Sequence, residues 1–346
     1  MPRYRSAELV PESAAGSSSS EAGRDDCRWV VVLAGGSGTR LAALTSDGRG
    51  GSVPKQYCSL VGGRSLLGDA LVRGGQLVSR KRVVTVVARQ HERFWRRELL
   101  GSPQQNVVVQ PQNRGTAAGI LLPLLAIIGR DPQAQVTLMP SDHFVADEAA
   151  LAGALRVAQR SVDHNQDRVL LVGIEPDGPE VDYGWILPGA CEGAVRAVRE
   201  FVEKPNRNIA LDLLKAGAVW NSFLMVGSAV AILQLYAERL PDLLAAFVEA
   251  ELDSDPSNAE RLYGNLGDAD FCRDLLTGSE SRLGLCVAPA CGWTDLGTPA
   301  RVAQCALPLM RTKGIGVAGA GSLASACNRL LASSSRGPSE AVEHHA

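Results

Sequence analysis

Arg40, Lys55, Asp142 and Asp295 are the residues of this sequence best suited to work on a polyphosphate. Arg40 closes the run Leu33-Ala34-Gly35-Gly36-Ser37-Gly38-Thr39-Arg40, where small residues let successive backbone amides approach an anion and form a nest around it. Lys55, in Pro54-Lys55-Gln56-Tyr57, is a compact ammonium on a flexible stem that could reach the same phosphates. The chain holds five lysines, at 55, 81, 204, 215 and 313, so a lysine inside a motif is less easily put down to chance. Group transfer at a phosphorus builds negative charge on phosphate oxygens, and a site for it needs cations, amides and a divalent metal. Two carboxylates, with phosphate oxygens and waters, are a usual ligand set for Mg²⁺, which casts Asp142 and Asp295 as the metal pair.

Each of these residues also has a plainer reading. The glycine run could be a tight turn and nothing more. Asp142 could cap the next helix, and Asp295 could bond its own backbone as an Asx-turn. Glu203-Lys204 could be a solvated surface pair. His143 reads as a hydrogen-bonded structural residue, because an incoming phosphate monoester is already anionic and needs no strong base.

The elements that must position these residues alternate between strand and helix. Val30 to Leu33 reads as a buried strand, Ser65 to Val78 as a helix, and Arg82 to Ala88 as a second strand. A charged helix over Gln90 to Leu100, a strand over Asn106 to Val109 and a buried helix over Ala118 to Ile128 follow. Strand Gln135 to Met139, helix 148–163 and strand Val169 to Ile174 complete the alternation. This pattern predicts an α/β fold, Rossmann-like and doubly wound, with a mostly parallel sheet and ligands at the carboxyl ends of its strands.

Beyond Ile174 the rhythm changes. Tyr183 to Leu187 and Ala194 to Val202 are strand-like with little helix between them, which predicts a small antiparallel insertion or lid. A helix over 206–216, a strand over Val219 to Val226, helices through most of 228–277, a strand over Leu283 to Ala288 and a short helix to about Leu307 are expected after it. Residues 1–26 read as a disordered tail, 27–309 as one folded domain and 310–346 as a flexible tail, with 47–52 as a mobile flap.

A net charge of −2 gives no electrostatic footprint for nucleic acid or a membrane surface. The longest apolar run, Ile120 to Ile128, is too short to span a bilayer. Eight cysteines without a CxxC pair read as reduced thiols of a cytoplasmic protein.

Leu33 to Leu41 together with Pro54-Lys55-Gln56 resembles the signature of sugar-1-phosphate nucleotidyltransferases. Gln110-Pro111-Gln112-Asn113-Arg114-Gly115-Thr116-Ala117, Pro140-Ser141-Asp142-His143, Tyr183-Gly184-Trp185-Ile186, Glu203-Lys204-Pro205, Trp220-Asn221-Ser222 and Trp293-Thr294-Asp295-Leu296-Gly297 look like the mannose-1-phosphate guanylyltransferase branch, in the same order. The resemblance covers roughly residues 29–300. It implies that Leu33, Ala34, Gly35, Gly36, Ser37, Gly38 and Thr39 hold the nucleotide, with Arg40 and Lys55 on its phosphates. Gln110, Asn113, Thr116 and Ser141 would border base and ribose, and Asp142 and Asp295 would hold Mg²⁺. Tyr183, Gly184, Glu203 and Asn221 would bind the sugar, and Lys204 its phosphate.

The implied reaction joins mannose 1-phosphate to GTP, giving GDP-mannose and pyrophosphate; a homodimer is left open. The sequence departs from the branch at two places. Gln112 stands where glutamate is usual, and Phe223 stands where glycine usually follows Asn-Ser, putting bulk beside the expected sugar pocket. Another nucleotide or sugar phosphate, or a weakened paralogue that only binds sugar nucleotide, are the alternatives these departures keep open.

Overall fold

A computed structural model of the chain describes residues 27–42, 44–45, 52–250, 252, 255–313, 322–323 and 326. The expected tail at 1–26, residues 47–51 of the expected flap and most of the segment beyond 313 lie outside the described residues.

Among the described residues nine strands form one sheet: β1 Arg28–Ala34, β2 Val83–Ala88, β3 Val107–Gln110, β4 Gln135–Pro140, β5 Val169–Ile174, β6 Gly184–Glu192, β7 Val195–Glu203, β8 Val219–Ser228 and β9 Leu283–Val287. Their order is β3-β2-β1-β4-β8-β5-β9-β7-β6, and β8 also pairs with β6. The helices are α1 Leu66–Leu77, α2 Glu92–Glu98, α3 Gly115–Ile128, α4 Glu148–His164, α5 Arg207–Lys215, α6 Ala229–Arg239, α7 Pro241–Glu249, α8 Pro256–Asn265 and α9 Pro299–Lys313.

Successive side chains of a strand point to opposite faces, and β1 shows what each face meets. Trp29 and Val31 join a core with Ile120, Leu121 and Leu124 of α3. Val30, Val32 and Ala34 join a second core with Leu67 and Ala70 of α1 and Leu151 and Leu155 of α4. Both faces are therefore covered, which is why these strands read as unbroken apolar runs rather than alternating ones. Full burial of each such leucine or isoleucine contributes about 2 kcal/mol. Arg73 of α1, 2 % exposed, makes a two-pronged bond to Glu148 at the first turn of α4 (2.8 and 2.7 Å) and locks these helices together.

The sheet is mixed. β3, β2, β1 and β4 run parallel, as do β5 and β9, whereas β8 enters between β4 and β5 antiparallel to both. The antiparallel insertion is present as the β6–β7 hairpin, and it extends the main sheet through β7–β9 and β6–β8 pairings instead of standing apart as a lid. Trp185 and Ile186 explain why: both are fully buried, one in each core, so the hairpin needs cover on both sides.

Several helix boundaries differ from expectation: the helix expected from Ala118 opens at Gly115, and the one expected over Gln90 to Leu100 is Glu92–Glu98 after a tight turn at Arg89–His91. The helix after Pro205 opens at Arg207, because Asn206 takes the cap and accepts from the Ile209 amide at 3.0 Å. Helix α9 continues past Met310 to Lys313, and the Leu323 amide donates to Ser59 O (2.9 Å). Leu41, Leu60, Leu66, Leu296, Val302, Ala306 and Leu323 form a third core that holds this C-terminal helix against the glycine loop. Among the described residues no helix is long and apolar enough to cross a membrane.

Candidate active site

The glycine loop leaves the C-terminal end of β1 and is held by the Pro54-Lys55-Gln56 segment. Gln56, 2 % exposed, donates its Nε2 to Ala34 O (3.0 Å) and Gly36 O (2.7 Å). Gly38 has φ +62°, and a Cβ there would lie 2.7 Å from the Lys55 amide, so the turn requires glycine twice over. Thr39 opens the short turn Thr39–Leu41, which leaves the Arg40 side chain 58 % exposed with Nη2 at 3.6 Å from Asp295 Oδ2.

Lys55 is buried and anchored rather than swinging free. Its Nζ lies 2.9 Å from Asp142 Oδ2 and donates to the backbone carbonyl of Asp295. Asp142 follows β4, positioned by the Ser141 amide on Leu33 O at 3.1 Å. It does not cap the next helix, since Asp147 does that by accepting from Ala150. Burial pushes the Asp142 carboxyl up, but the charge and hydrogen bond of Lys55, together with His143, outweigh it and hold the group below the ordinary carboxylate range.

Asp295 satisfies both of its sequence readings at once. Its Oδ1 accepts the Gly297 amide (2.8 Å) in an Asx-turn, and also the Tyr183 hydroxyl (2.7 Å) and Arg301 Nη1 (2.9 Å). Burial pushes its carboxyl up, but these donors and neighbouring positive charge leave it below the ordinary range. Tyr183 is pushed far up, by burial first and Asp295 second, so its hydroxyl stays protonated and donates. His143 is buried edge-on against Trp293, with ring centroids 5.2 Å apart, and burial lowers its pKa to about 4. It is a neutral wall of the site, and its Nδ1 lacks a hydrogen-bond partner among the described residues.

The hairpin builds the other end. Gly184 pairs with Glu203 across β6 and β7, and a Cβ on Gly184 would lie 2.7 Å from Glu203 Oε2. The carboxylate fits because no side chain stands there. Lys204 takes φ +46°, its amide bonds Tyr183 O (3.2 Å), and its Nζ pairs with Glu203 Oε1 at 2.8 Å. Burial pushes Glu203 up, whereas Lys204 is raised by Glu203 despite its own burial. Asn221 on β8 accepts the Phe223 amide (3.1 Å) and donates to Cys272 Sγ (3.5 Å). Phe223 has φ +59°, a left-handed conformation that costs a bulky residue about 1–2 kcal/mol. The position is made for the glycine that the sequence pattern expects there.

One cavity of about 390 Å³ joins these parts. Leu33, Gly35, Gly36, Arg40, Gln110, Asn113 and Ser141 line it with Asp142 and Asp295, as do Tyr183, Gly184, Glu203, Lys204 and Asn221, and Thr116 lies on the Glu203 side, with Oγ1 3.4 Å from Asp270 Oδ2. Gly38 and Lys55 line an adjoining pocket with Arg40 and Asp142. Ala34 and Ser37 line neither; Ala34 serves through its carbonyl, which Gln56 and Tyr57 bond. Gln112 does not line the cavity and accepts from Arg114 at 3.1 Å.

Sequence reasoning missed Arg301, Asp270 and Cys272. Arg301 at the start of α9 pairs with Asp295 and Glu180 and lies 4.4 Å over the Tyr183 ring. Its one signal was an arginine six positions after Asp295. Asp270 and Cys272 line the cavity from the π-helical turn Phe271–Leu276 and had no signal beyond residue type.

The nucleotidyl transferase family model matches residues 29–308, and the chain belongs to that family. Within it the chain sits with the sugar-1-phosphate nucleotidyltransferases. It is 32% identical over 286 residues to xanthan biosynthesis protein XanB of Xanthomonas campestris, covering 78% of this chain and 57% of that one. It is 31% identical over 238 residues to mannose-1-phosphate guanylyltransferase ManC of Salmonella typhimurium, covering 66% of this chain and 48% of that one. The chain thus spans about half the length of these curated relatives. A crystal structure described as mannose-1-phosphate geranyltransferase from Thermus thermophilus superposes with TM-score 0.68 at 26% identity, covering 78% of this chain and 76% of that one.

Proposed function

We propose that the nine-stranded sheet and its helices, from residue 27 through the helix Pro299–Lys313, form one domain that transfers a guanylyl group from GTP to mannose 1-phosphate, releasing pyrophosphate. The observation that carries this reading is the single cavity running from the glycine loop, past two ionised carboxylates, to Glu203 and Lys204. A nucleoside triphosphate suits the loop end, and a phosphorylated sugar suits the hairpin end, where a carboxylate can take hydroxyls and an ammonium a phosphate. The names of relatives such as ManC favour guanosine and mannose within that class.

The residues present fit a divalent cation. Asp142 and Asp295 face one cavity, both ionised, and Asp295 Oδ2 has Arg40 at 3.6 Å as its charged neighbour while Oδ1 is engaged by three donors. Such a cation, bound with phosphate oxygens and water, supplies charge neutralisation at the α-phosphate. Lys55 fixes Asp142, Arg301 and Tyr183 fix Asp295, and Arg40 takes charge that develops on the departing pyrophosphate. Lys204 and Glu203 hold the sugar phosphate so that its oxygen attacks the α-phosphorus in line. No base is needed, and His143, its pKa lowered to about 4, is only a weak one.

Pyrophosphate release from GTP, ATP, CTP, UTP and dTTP, each against mannose 1-phosphate and glucose 1-phosphate, tests the assignment. GTP with mannose 1-phosphate should be the best pair. Fastest release with CTP or dTTP would overturn the guanylyl assignment.

A further inference from the structure

We propose that Glu203, Asp270 and Cys272 form a second cation site, one for a thiophilic divalent ion of the Zn²⁺ class, where the end of β7 and the π-helical turn line the cavity. Ligand atoms of these three residues lie within 4.8 Å of one another, and among the described residues no other His, Cys, Asp and Glu side chains group this way. Asp142 and Asp295 are not part of the cluster, so the two sites are distinct.

The ligands come from elements held firmly in place. Glu203 ends β7, while Asp270 and Cys272 open a π-helical turn, a geometry frequent at functional sites. That turn is fastened to the start of α3, with Phe271 N on Thr116 Oγ1 at 2.7 Å and Ala269 N on Arg114 O at 3.2 Å. Cys272 is 3 % exposed, yet it lines the cavity, so a cation has a way in to a desolvated sulfur.

The donor set decides the ion. Mg²⁺ takes oxygen ligands, whereas one sulfur with two carboxylates suits Zn²⁺, with a fourth position open to the cavity. Present neighbours leave room for it. Lys204 holds Glu203 Oε1, but Oε2 has no donor among the described residues. Arg273 N occupies Asp270 Oδ1 at 2.9 Å, and Thr116 Oγ1 makes only a long contact of 3.4 Å to Oδ2. Asn221 donates to the sulfur at 3.5 Å, a weak bond that ligation would replace. Burial first, then Glu203 and Asp270, push the thiol well up, so it keeps its proton until a metal displaces it. On binding, the thiol loses its proton to solvent and the sulfur lone pair bonds the metal.

A cation here occupies the end assigned above to the sugar phosphate, and this consequence rests on that assignment: Zn²⁺ competes with the sugar phosphate and not with the nucleotide. Binding itself does not depend on it. The full chain, freed of metal by chelation and kept in Mg²⁺, is titrated with Co²⁺ as a coloured substitute for Zn²⁺. One equivalent should bind with a sulfur-to-cobalt absorption band that Zn²⁺ abolishes. Cys272→Ser should lose the band, and Asp270→Asn, which keeps its bond from Arg273, should weaken binding at least 10-fold. Absence of the band, or a band of unchanged strength in Cys272→Ser, overturns the site. If Cys272→Ser does not fold, the Asp270→Asn affinity decides, and unchanged binding there overturns it equally. Cobalt bound as expected but without any rise in sugar-phosphate KM keeps the site and removes the sugar assignment.

Discussion

The two ends of the cavity are built by different means. Around Asp142 and Asp295, every charged group is fixed by another: Lys55 bridges the two residues, and Tyr183 and Arg301 converge on one oxygen of Asp295. Around Glu203 and Asn221 the backbone does the positioning. Lys204 and Phe223 both sit at positive φ, and Gly184 supplies space by having no side chain. On the proposed function, the first end is preorganised for charge, which every nucleotidyl transfer shares, and the second for shape, which differs between sugars. Mutations at the first should therefore alter rate whatever the substrate, and mutations at the second should alter preference.

Asp142→Ala should have the largest effect, lowering turnover roughly 1,000-fold with every substrate pair. A loss confined to one sugar would break the comparison. Arg301→Gln comes next. Arg301 is a positioning residue, so the variant should lose roughly 10- to 100-fold in kcat and require more divalent metal for half-maximal rate, whereas Arg301→Lys should recover part of both. An unchanged metal requirement would show that Arg301 braces the fold only.

Phe223→Gly should cost less and act differently. It relieves about 1 kcal/mol of backbone strain but removes a ring packed edge-on to Phe271, so stability changes little. The relative kcat/KM for different sugar phosphates should shift roughly 10-fold, with the KM for nucleotide unchanged. A change in nucleotide KM instead would place Phe223 at the wrong end of the cavity.

His143 gives the smallest effect. Its folded pKa of about 4 is below the ordinary 6.5, so the unfolded chain binds the proton first as pH falls. Stability is complete above about pH 6.5 and declines toward pH 4. Denaturant midpoints across that window should fall in the wild type and fall less steeply in His143→Gln.

Much of this was legible in the chain. Buried parallel strands announce themselves as β-branched runs, and Val169 to Ile174 has the expected limits because burial on both faces fixes its composition. Ser65 before Leu66 is a cap readable from residue type, whereas the cap of α4 is Asp147 and not the Asp142 the sequence suggested. The position of β8 was not legible, since its pairing with β4, β5 and β6 is decided by partners distant in sequence. The same holds in the site. Lys55 and Asp142 stand out as rare or charged residues in apolar or glycine-rich surroundings, whereas Arg301 gains its meaning from Glu180, 121 positions away. Asp270 and Cys272 lie in a stretch whose composition reads only as helical. Phe223 was visible as a departure, but the reason it matters, a left-handed backbone, is a property of the folded sheet.

The central claim, nucleotidyl transfer in this cavity, is tested most directly by ³¹P NMR of the protein with GTP, mannose 1-phosphate and Mg²⁺. The account predicts that both substrate signals decline while the diphosphate signals of GDP-mannose and the pyrophosphate signal rise together, and that Asp142→Ala shows neither. Product formation by Asp142→Ala at the wild-type rate would contradict it, as would substrates that remain intact in the wild type.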